Sequence, residues 1–149
     1  FLEEGNLIFH QLFEADPHVF ISAKNPLAKQ DFVTLSDLMP YPYLSFEQGD
    51  YNSFYFSEEI LSTISRPKNI TVSDRATLFN LLIGLNGYTI STGVISHKLN
   101  SKDIVAVPLL VDERITVGYI THKNVKNSPL ANIYIEYLKA SIEEERNTV

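Results

Sequence analysis

Polar side chains stand at three points where a short apolar run gives way to a helix-like run. The three segments are Ser45-Phe46-Glu47-Gln48, Ser73-Asp74-Arg75 and Ser91-Thr92-Gly93. In open α/β sheets, ligands bind beyond the carboxyl ends of parallel strands, where helix N-termini present unpaired amides and a partial positive charge. Hydroxyl and amide groups at such positions predict a site for a small anion or an amino-acid-like ligand. Helix capping alone explains Ser73 or Thr92 equally well, whereas three polar junctions in one sheet favour a ligand.

The sequence lacks the usual motifs of catalysis and metal binding. It contains no Gly-x-Ser-x-Gly elbow, His-Glu-x-x-His helix, Walker loop or Gly-x-Gly-x-x-Gly fingerprint. The four histidines lie in different elements without an i, i+4 pair, which disfavours a metal site; they are His10, His18, His97 and His122. We therefore expect no enzymatic activity, no cofactor and no bound metal.

Composition restricts the class of protein further. The chain has 149 residues, of which 44% are hydrophobic and 11% aromatic, and this suits one ordinary domain with a buried core. Its 12 Lys and Arg against 18 Asp and Glu give a net charge of −6, so the chain itself is not expected to bind a nucleic-acid backbone. The absence of cysteine excludes a disulfide scaffold, a thiolate zinc site and a cysteine nucleophile. No apolar run approaches the roughly 20 residues of a membrane span, and no membrane contact is expected.

The elements that position the three polar segments follow from hydrophobic patterning and turn residues. Strands are predicted at residues 7–13, 18–22, 43–46, 69–72, 88–91, 104–108 and 114–121. Helices are predicted at residues 34–38, 52–64, 75–85 and 129–142, with a further short helix that begins at Thr92. The apolar helix that ends at Leu85 is expected to be buried on several sides, and Gly87 to be the left-handed residue after it. Alternating strands and helices predict a three-layer α/β arrangement with a mostly parallel sheet.

Several motifs occur in the order found in one known family. They are His18-Val19-Phe20-Ile21-Ser22-Ala23-Lys24-Asn25-Pro26-Leu27-Ala28, Val33-Thr34-Leu35-Ser36-Asp37-Leu38, Tyr41-Pro42-Tyr43-Leu44, Leu85-Asn86-Gly87-Tyr88-Thr89-Ile90, Val107-Pro108-Leu109 and Ser128-Pro129-Leu130. Over residues 7–142 this order resembles the effector-binding domain of LysR-type transcriptional regulators. Asn25 replaces the histidine of the family's His-Pro-Leu-Ala motif, and Leu85 and Asn86 depart from its Gly-Leu-Gly-Ile-Ala turn.

The resemblance implies a fold and a division of the chain. The fold is α/β, periplasmic-binding-protein-like (type II), with three α/β/α layers, as one near-complete lobe plus part of a second. Residues 1–25 correspond to part of subdomain I, residues 26–107 to subdomain II, and residues 108–149 to the return to subdomain I with a C-terminal helix. Because residue 1 is Phe and the only methionine is Met39, we expect the family's winged helix-turn-helix and the first part of subdomain I to be absent.

The resemblance also implies a function. The chain would be the effector-sensing domain of a cytoplasmic, homo-oligomeric regulator, a dimer or tetramer, that binds a small metabolite between two subdomains and binds DNA through an absent N-terminal domain. The ligand-facing residues carried over from the family are Ser45, Phe46, Glu47, Gln48, Ser73, Asp74, Thr92, Ser22 and Val107. Glu47 and Asp74 disfavour a bare dianion and favour a ligand with an ammonium group. The pair Ser73-Asp74 resembles the branch that controls sulfur and amino-acid metabolism.

Two other classes of protein stay open at this point. An extracytoplasmic solute-binding protein has the same bilobed architecture, and a secretory leader on the complete gene would indicate it, whereas a winged helix would exclude it. An enzyme on the same fold is a weaker alternative, because no acid, base and nucleophile converge in the sequence.

Overall fold

A computed structural model describes residues 5–47, 61, 66–95 and 102–146. The chain divides into two compact units, a larger one of Ala15–Ile115 and a smaller one of Phe1–Glu14 with Thr116–Val149. The subdomain limits expected from the resemblance, after residues 25 and 107, stay a prediction. The described elements, in chain order, are β1 (Leu7–Ala15), β2 (His18–Ser22), a 3₁₀ helix (Pro26–Lys29), α1 (Leu35–Leu38), β3 (Tyr43–Phe46), β4 (Asn69–Val72), α2 (Arg75–Gly84), β5 (Tyr88–Ser91), β6 (Ile104–Pro108), β7 (Ile115–His122) and α3 (Pro129–Arg146).

The larger unit is built on a five-stranded sheet with the order β4-β3-β5-β2-β6. Strand β3 runs parallel to β4 and β5, whereas β2 is antiparallel to both of its neighbours, β5 and β6. Four strands therefore share one direction and β2 alone opposes them. The expected mostly parallel α/β sheet is confirmed, with this one reversed strand between β5 and β6.

The two faces of the sheet are covered by different elements. On one face, Val19, Ile21 and Tyr43 form a core with Leu27 of the 3₁₀ helix and Leu38 of α1. On the other face, the core consists of Phe20, Leu44, Val72 and Ile104 with Leu78 and Leu82 of α2. Because side chains alternate along a strand, each strand contributes to both cores. The larger unit thus has the three layers that the sequence predicts.

Side-chain caps start the short elements. Thr34 and Asp37 form a capping box at α1, in which the Thr34 amide donates to Asp37 Oδ2 at 2.9 Å. Hydrogen bonds from the Thr34 side chain and backbone hold the pKa of the Asp37 carboxyl below its ordinary value. Asn25 Oδ1 accepts from the Leu27 amide at 2.9 Å and caps the 3₁₀ helix. Thr34 is therefore the N-cap of the helix that the sequence predicts at residues 34–38.

Helix α2 is buried on one side only, which corrects the expectation of burial on several sides. Leu78 and Leu82 face the sheet and are 1% and 0% exposed, whereas Ile83 and Leu85 are 39% and 47% exposed. The reason is that the apolar residues of α2 outnumber the positions that one sheet face can cover.

The end of α2 also differs from the prediction. Asn86, with φ 53°, is the left-handed residue, and the Gly87 amide donates to the Leu82 carbonyl at 3.2 Å, as in a Schellman motif. Gly87 is required for a different reason, because a Cβ there would lie 2.9 Å from the Pro42 carbonyl oxygen. The Tyr88 amide donates to that same oxygen at 2.9 Å, so the close approach belongs to the start of β5.

In the smaller unit, β1 pairs with β7, and α3 begins as the sequence predicts. Pro129 is its first residue and Ser128 Oγ accepts from the Ala131 amide at 3.1 Å.

Two other predicted helices are not among the described elements. The helix at residues 52–64 lies outside the described residues except for Leu61, and residues 92–95 are irregular, so no helix begins at Thr92. No helix within the described ranges is long and apolar enough to cross a membrane.

Two glycine substitutions test the packing at the end of α2. Gly87→Ala should destabilise the chain by about 1–3 kcal/mol, because the new methyl group overlaps the Pro42 carbonyl. At Gly84 an added Cβ would have no neighbouring atom within 4 Å. Gly84→Ala should therefore stabilise the chain by about 0.4–1 kcal/mol, because alanine has less conformational freedom in the unfolded state. Urea unfolding of both variants measures the difference, and equal effects of the two would contradict the packing described here.

Candidate functional site

The carboxyl ends of β3, β4 and β5 lie at one edge of the five-stranded sheet, which we call the carboxyl edge. Phe46 and Val72, the last residues of β3 and β4, are register partners. The reversed strand β2 starts at this same edge, because His18 pairs with Ser91 at the end of β5 and with Pro108 at the end of β6. The edge therefore combines the residues that follow β3, β4 and β5 with the first residue of β2.

Five of the predicted site residues lie at this edge. They are Phe46, Glu47, Ser73, Asp74 and Thr92. The Glu47 amide extends the pairing of β3 by donating to the Val72 carbonyl at 2.9 Å, and the Glu47 side chain is exposed. Ser73 is exposed, whereas Thr92 is half-buried and its Oγ1 accepts from the Val94 amide at 3.4 Å.

Asp74 is the N-cap of α2. Its Oδ1 accepts from the Thr77 amide at 2.9 Å, and this backbone hydrogen bond holds the pKa of the carboxyl below its ordinary value. A carboxylate is also favoured by the partial positive charge of the helix N-terminus. Asp74 therefore brings a negative charge to the carboxyl edge while it serves the helix.

Three other predicted residues lie elsewhere in the sheet. Ser45 is buried one residue inside the edge, on the face of α1, and its Oγ donates to Asn69 Oδ1 at 3.2 Å. Val107 pairs with Val19 and is buried in the α1-side core. Ser22 pairs with the first residue of β6, Ile104, so it lies at the opposite edge, where its Oγ accepts from the Lys24 amide at 3.3 Å. Gln48 lies outside the described residues.

The structure adds His18, which the sequence alone brings up only as a possible metal ligand. His18 Nδ1 lies 2.8 Å from the Asp16 carbonyl oxygen, and the side chain is half-buried. Gly93 packs against the imidazole with φ +81°, and a Cβ at Gly93 would lie 2.6 Å from the ring. Only the pairing of β2 with β5 reveals this position, and no local pattern in the sequence encodes that pairing.

Arg75, the first residue of α2, brings a cation to the same face as His18. Its guanidinium lies 4.8 Å from the centroid of the Phe79 ring, and Phe79 in turn packs on Phe20 of β2, with 6.5 Å between ring centroids. Phe20 and His18 share one face of β2 because side chains alternate. A second guanidinium, that of Arg114, is engaged with Asp16 at 3.4 Å. Within the described residues, no three His, Asp or Glu side chains come close enough to hold a metal ion.

The pKa of Asp74 yields a test of its capping role. A carboxyl whose pKa is lowered in the folded state stabilises the fold above its unfolded pKa of about 3.9, and this contribution is lost as pH falls through the folded pKa. The wild-type chain should therefore exceed Asp74→Asn in stability at pH 7, and the difference should vanish at the acid end. The lowered pKa of Asp37 affects the stability of both chains equally, so it does not contribute to the difference between them.

Urea unfolding midpoints between pH 7 and pH 2 measure this difference. Asp112→Asn is the control, because Asp112 is exposed between β6 and β7, where no helix begins, and its midpoint at pH 7 should equal that of the wild type. A wild-type advantage over Asp74→Asn that persists unchanged to pH 2 would rule out the capping carboxylate as its source.

The sheet topology, the three layers and the polar carboxyl edge define a periplasmic-binding-protein-like, type II α/β domain. A family profile described as the LysR substrate binding domain matches residues 2–143. The chain therefore belongs to the family of LysR substrate-binding domains. This is a family of effector-binding domains of transcriptional regulators and not a family of enzymes.

Several solved structures of LysR-family regulators have a similar fold. The chain is similar to a LysR family regulator from Pseudomonas aeruginosa, the PA01 protein, at 13% identity and a TM-score of 0.68, covering 92% of this chain and 49% of that one. It is similar to the effector binding domain of BenM with its effector benzoate at 20% identity and a TM-score of 0.67, covering 97% and 66%. For the effector binding domain of QuiR in complex with shikimate, the identity is 17%, the TM-score 0.61 and the coverage 95% and 68%.

The chain spans about half the length of the first two regulators it resembles, 49% and 48%. No curated protein matches the sequence.

Proposed function

We propose that the chain is the effector-sensing part of a LysR-type transcriptional regulator and that it binds a small metabolite at the carboxyl edge of its five-stranded sheet. The observation that carries this proposal is the register that gathers Glu47, Ser73, Asp74, Thr92 and His18 at one edge of a LysR substrate-binding domain. The bound benzoate and shikimate of two solved relatives support a small organic ligand.

The charges at the edge favour an amino acid, in keeping with the branch of sulfur and amino-acid metabolism that the pair Ser73-Asp74 resembles. Glu47 and Asp74 are carboxylates that attract an ammonium group, and they oppose a ligand that carries only negative charge. Arg75 provides one guanidinium, which suits a single carboxylate of the ligand. A ligand with one carboxylate and one ammonium group therefore matches both signs of charge.

No chemical reaction is part of this proposal. The effector acts through its different affinities for two arrangements of the regulator, a dimer or tetramer in the cytoplasm, and that difference alone shifts the equilibrium between them. DNA binding belongs to another domain of the regulator, in keeping with the net charge of −6 of this chain. A solute-binding protein uses the same type of fold, and the match to the LysR family favours the regulator over it.

A ligand panel tests the proposal. The panel contains the common L-amino acids, sulfur-containing amino acids, benzoate and shikimate, and the measurement is unfolding of the 149-residue chain with each compound. A true effector should raise the free energy of unfolding by about 2.7 kcal/mol at a hundredfold excess over its dissociation constant. If no compound stabilises the chain, effector binding by this domain is contradicted.

A pair of serine variants then locates the site. Ser73→Ala, at the carboxyl edge, should weaken binding of the effector that the panel identifies. Ser36→Ala is the matched control, because Ser36 is an exposed residue of α1, outside that edge, and its loss should leave the dissociation constant unchanged. Equal losses in both variants would place the ligand elsewhere.

A further inference from the structure

We propose that His18 is a ligand-binding residue of the carboxyl edge, and that its Nε2 accepts a hydrogen bond from an ammonium or hydroxyl group of the ligand. This inference rests on the proposed function, because it names the chemical group that the site recognises.

The position of His18 is fixed by backbone pairing on both sides. It faces Ser91 across one ladder and Pro108 across the other, at the first residue of β2. The next two residues of the strand, Val19 and Phe20, are 0% and 3% exposed, so the strand cannot slide without exposing its core. His18 is therefore a preorganised residue of the edge and not a side chain on a loose loop.

The hydrogen bond of the other ring nitrogen sets the tautomer. Nδ1 lies 2.8 Å from the Asp16 carbonyl oxygen, and a carbonyl oxygen only accepts. Nδ1 must therefore carry the proton, and in the neutral imidazole Nε2 is then the acceptor. Within the described residues, Asp16 is the single hydrogen-bond partner of the ring, which leaves the acceptor Nε2 for a ligand.

Gly93 fixes the plane of the imidazole. A Cβ at Gly93 would lie 2.6 Å from both Cγ and Nδ1 of the ring, closer than two such atoms can approach. Glycine at this place, in a backbone conformation with φ +81°, is thus what allows the ring to pack on the segment after β5. A ring held on one side by a backbone and on one nitrogen by a carbonyl loses little entropy when its second nitrogen binds a ligand.

The groups around His18 favour a ligand that carries a hydrogen-bond donor. Glu47 and Asp74 at this edge only accept hydrogen bonds when ionised, as does Nε2 of the neutral His18 ring. Arg75 is a cation on the same face, and it suits the carboxylate of an acid. A ligand that offers a carboxylate to Arg75 and an ammonium or hydroxyl donor to His18 satisfies both kinds of group.

Matched pairs of acids test this inference. Each pair differs by one donor: L-alanine against propionate for the ammonium group, and 4-hydroxybenzoate against benzoate for the hydroxyl group. Calorimetric titration of the 149-residue chain should show the donor-bearing acid bound about tenfold more tightly in one of the pairs, the effect of one hydrogen bond. The pair that shows the preference identifies the donor.

Variants assign the preference to His18. His18→Phe should lower the ratio of the two dissociation constants, and Gly93→Ala should lower it too by displacing the ring. His122→Phe, at an exposed histidine of β7, and Gly84→Ala, where no atom lies within 4 Å, should keep the wild-type ratio. A His18→Phe chain that keeps the wild-type ratio overturns the inference.

The tautomer of His18 can be measured in the absence of any ligand. Long-range ¹H–¹⁵N spectra at pH 8 should show the proton of His18 on Nδ1, the nitrogen that faces the Asp16 carbonyl oxygen. A proton on Nε2 overturns the inference and leaves effector binding untouched. If none of the four acids binds while another compound of the wider panel does, the inference fails and the proposed function stands; if nothing in the wider panel binds, both fail.

Discussion

The position of β2 between β5 and β6 is the constraint on which the larger unit depends. Its three central residues, Val19, Phe20 and Ile21, are at most 3% exposed and supply both cores of the sheet. A shift of one residue would exchange the two faces of the strand and bury the wrong set of side chains. The same register decides which end of β2 meets the carboxyl ends of β3, β4 and β5, and so it places His18 at the polar edge and Ser22 at the opposite one.

The polar residues of the carboxyl edge divide into two kinds. Asp74 and Thr92 hydrogen-bond to backbone amides and hold the start of α2 and the segment after β5. Within the described part of the chain, the side chains of Glu47 and Ser73 make no hydrogen bond, and Arg75 rests on an aromatic ring. The first kind gives the edge a fixed shape, and the second leaves charged and hydroxyl groups for a ligand, which is the arrangement expected of a preorganised binding site.

Local patterns in the sequence predict the elements well, because the information lies within a few residues. Strands β3, β4 and β5 have the predicted bounds, and Thr34 and Ser128 cap helices as their residue types indicate. One of the failures depends on a contact between distant segments. Gly87 is needed for its approach to Pro42 and not for a left-handed turn.

The sequence predicts only part of the candidate site, because some of its residues come together through strand pairing between distant segments. The junctions after β3 and β4 are visible in the sequence. The role of His18 and the placement of Ser22 at the far edge require knowledge of strand pairing.

The central claim is that the ligand binds at the carboxyl edge. Its most direct test is to follow backbone amide chemical shifts during titration with the tightest-binding acid. The largest changes should cluster at Glu47, Ser73, Asp74, Thr92, Gly93 and His18. Largest changes at the opposite edge, near Ser22, Asn69 and Tyr88, would contradict the claim.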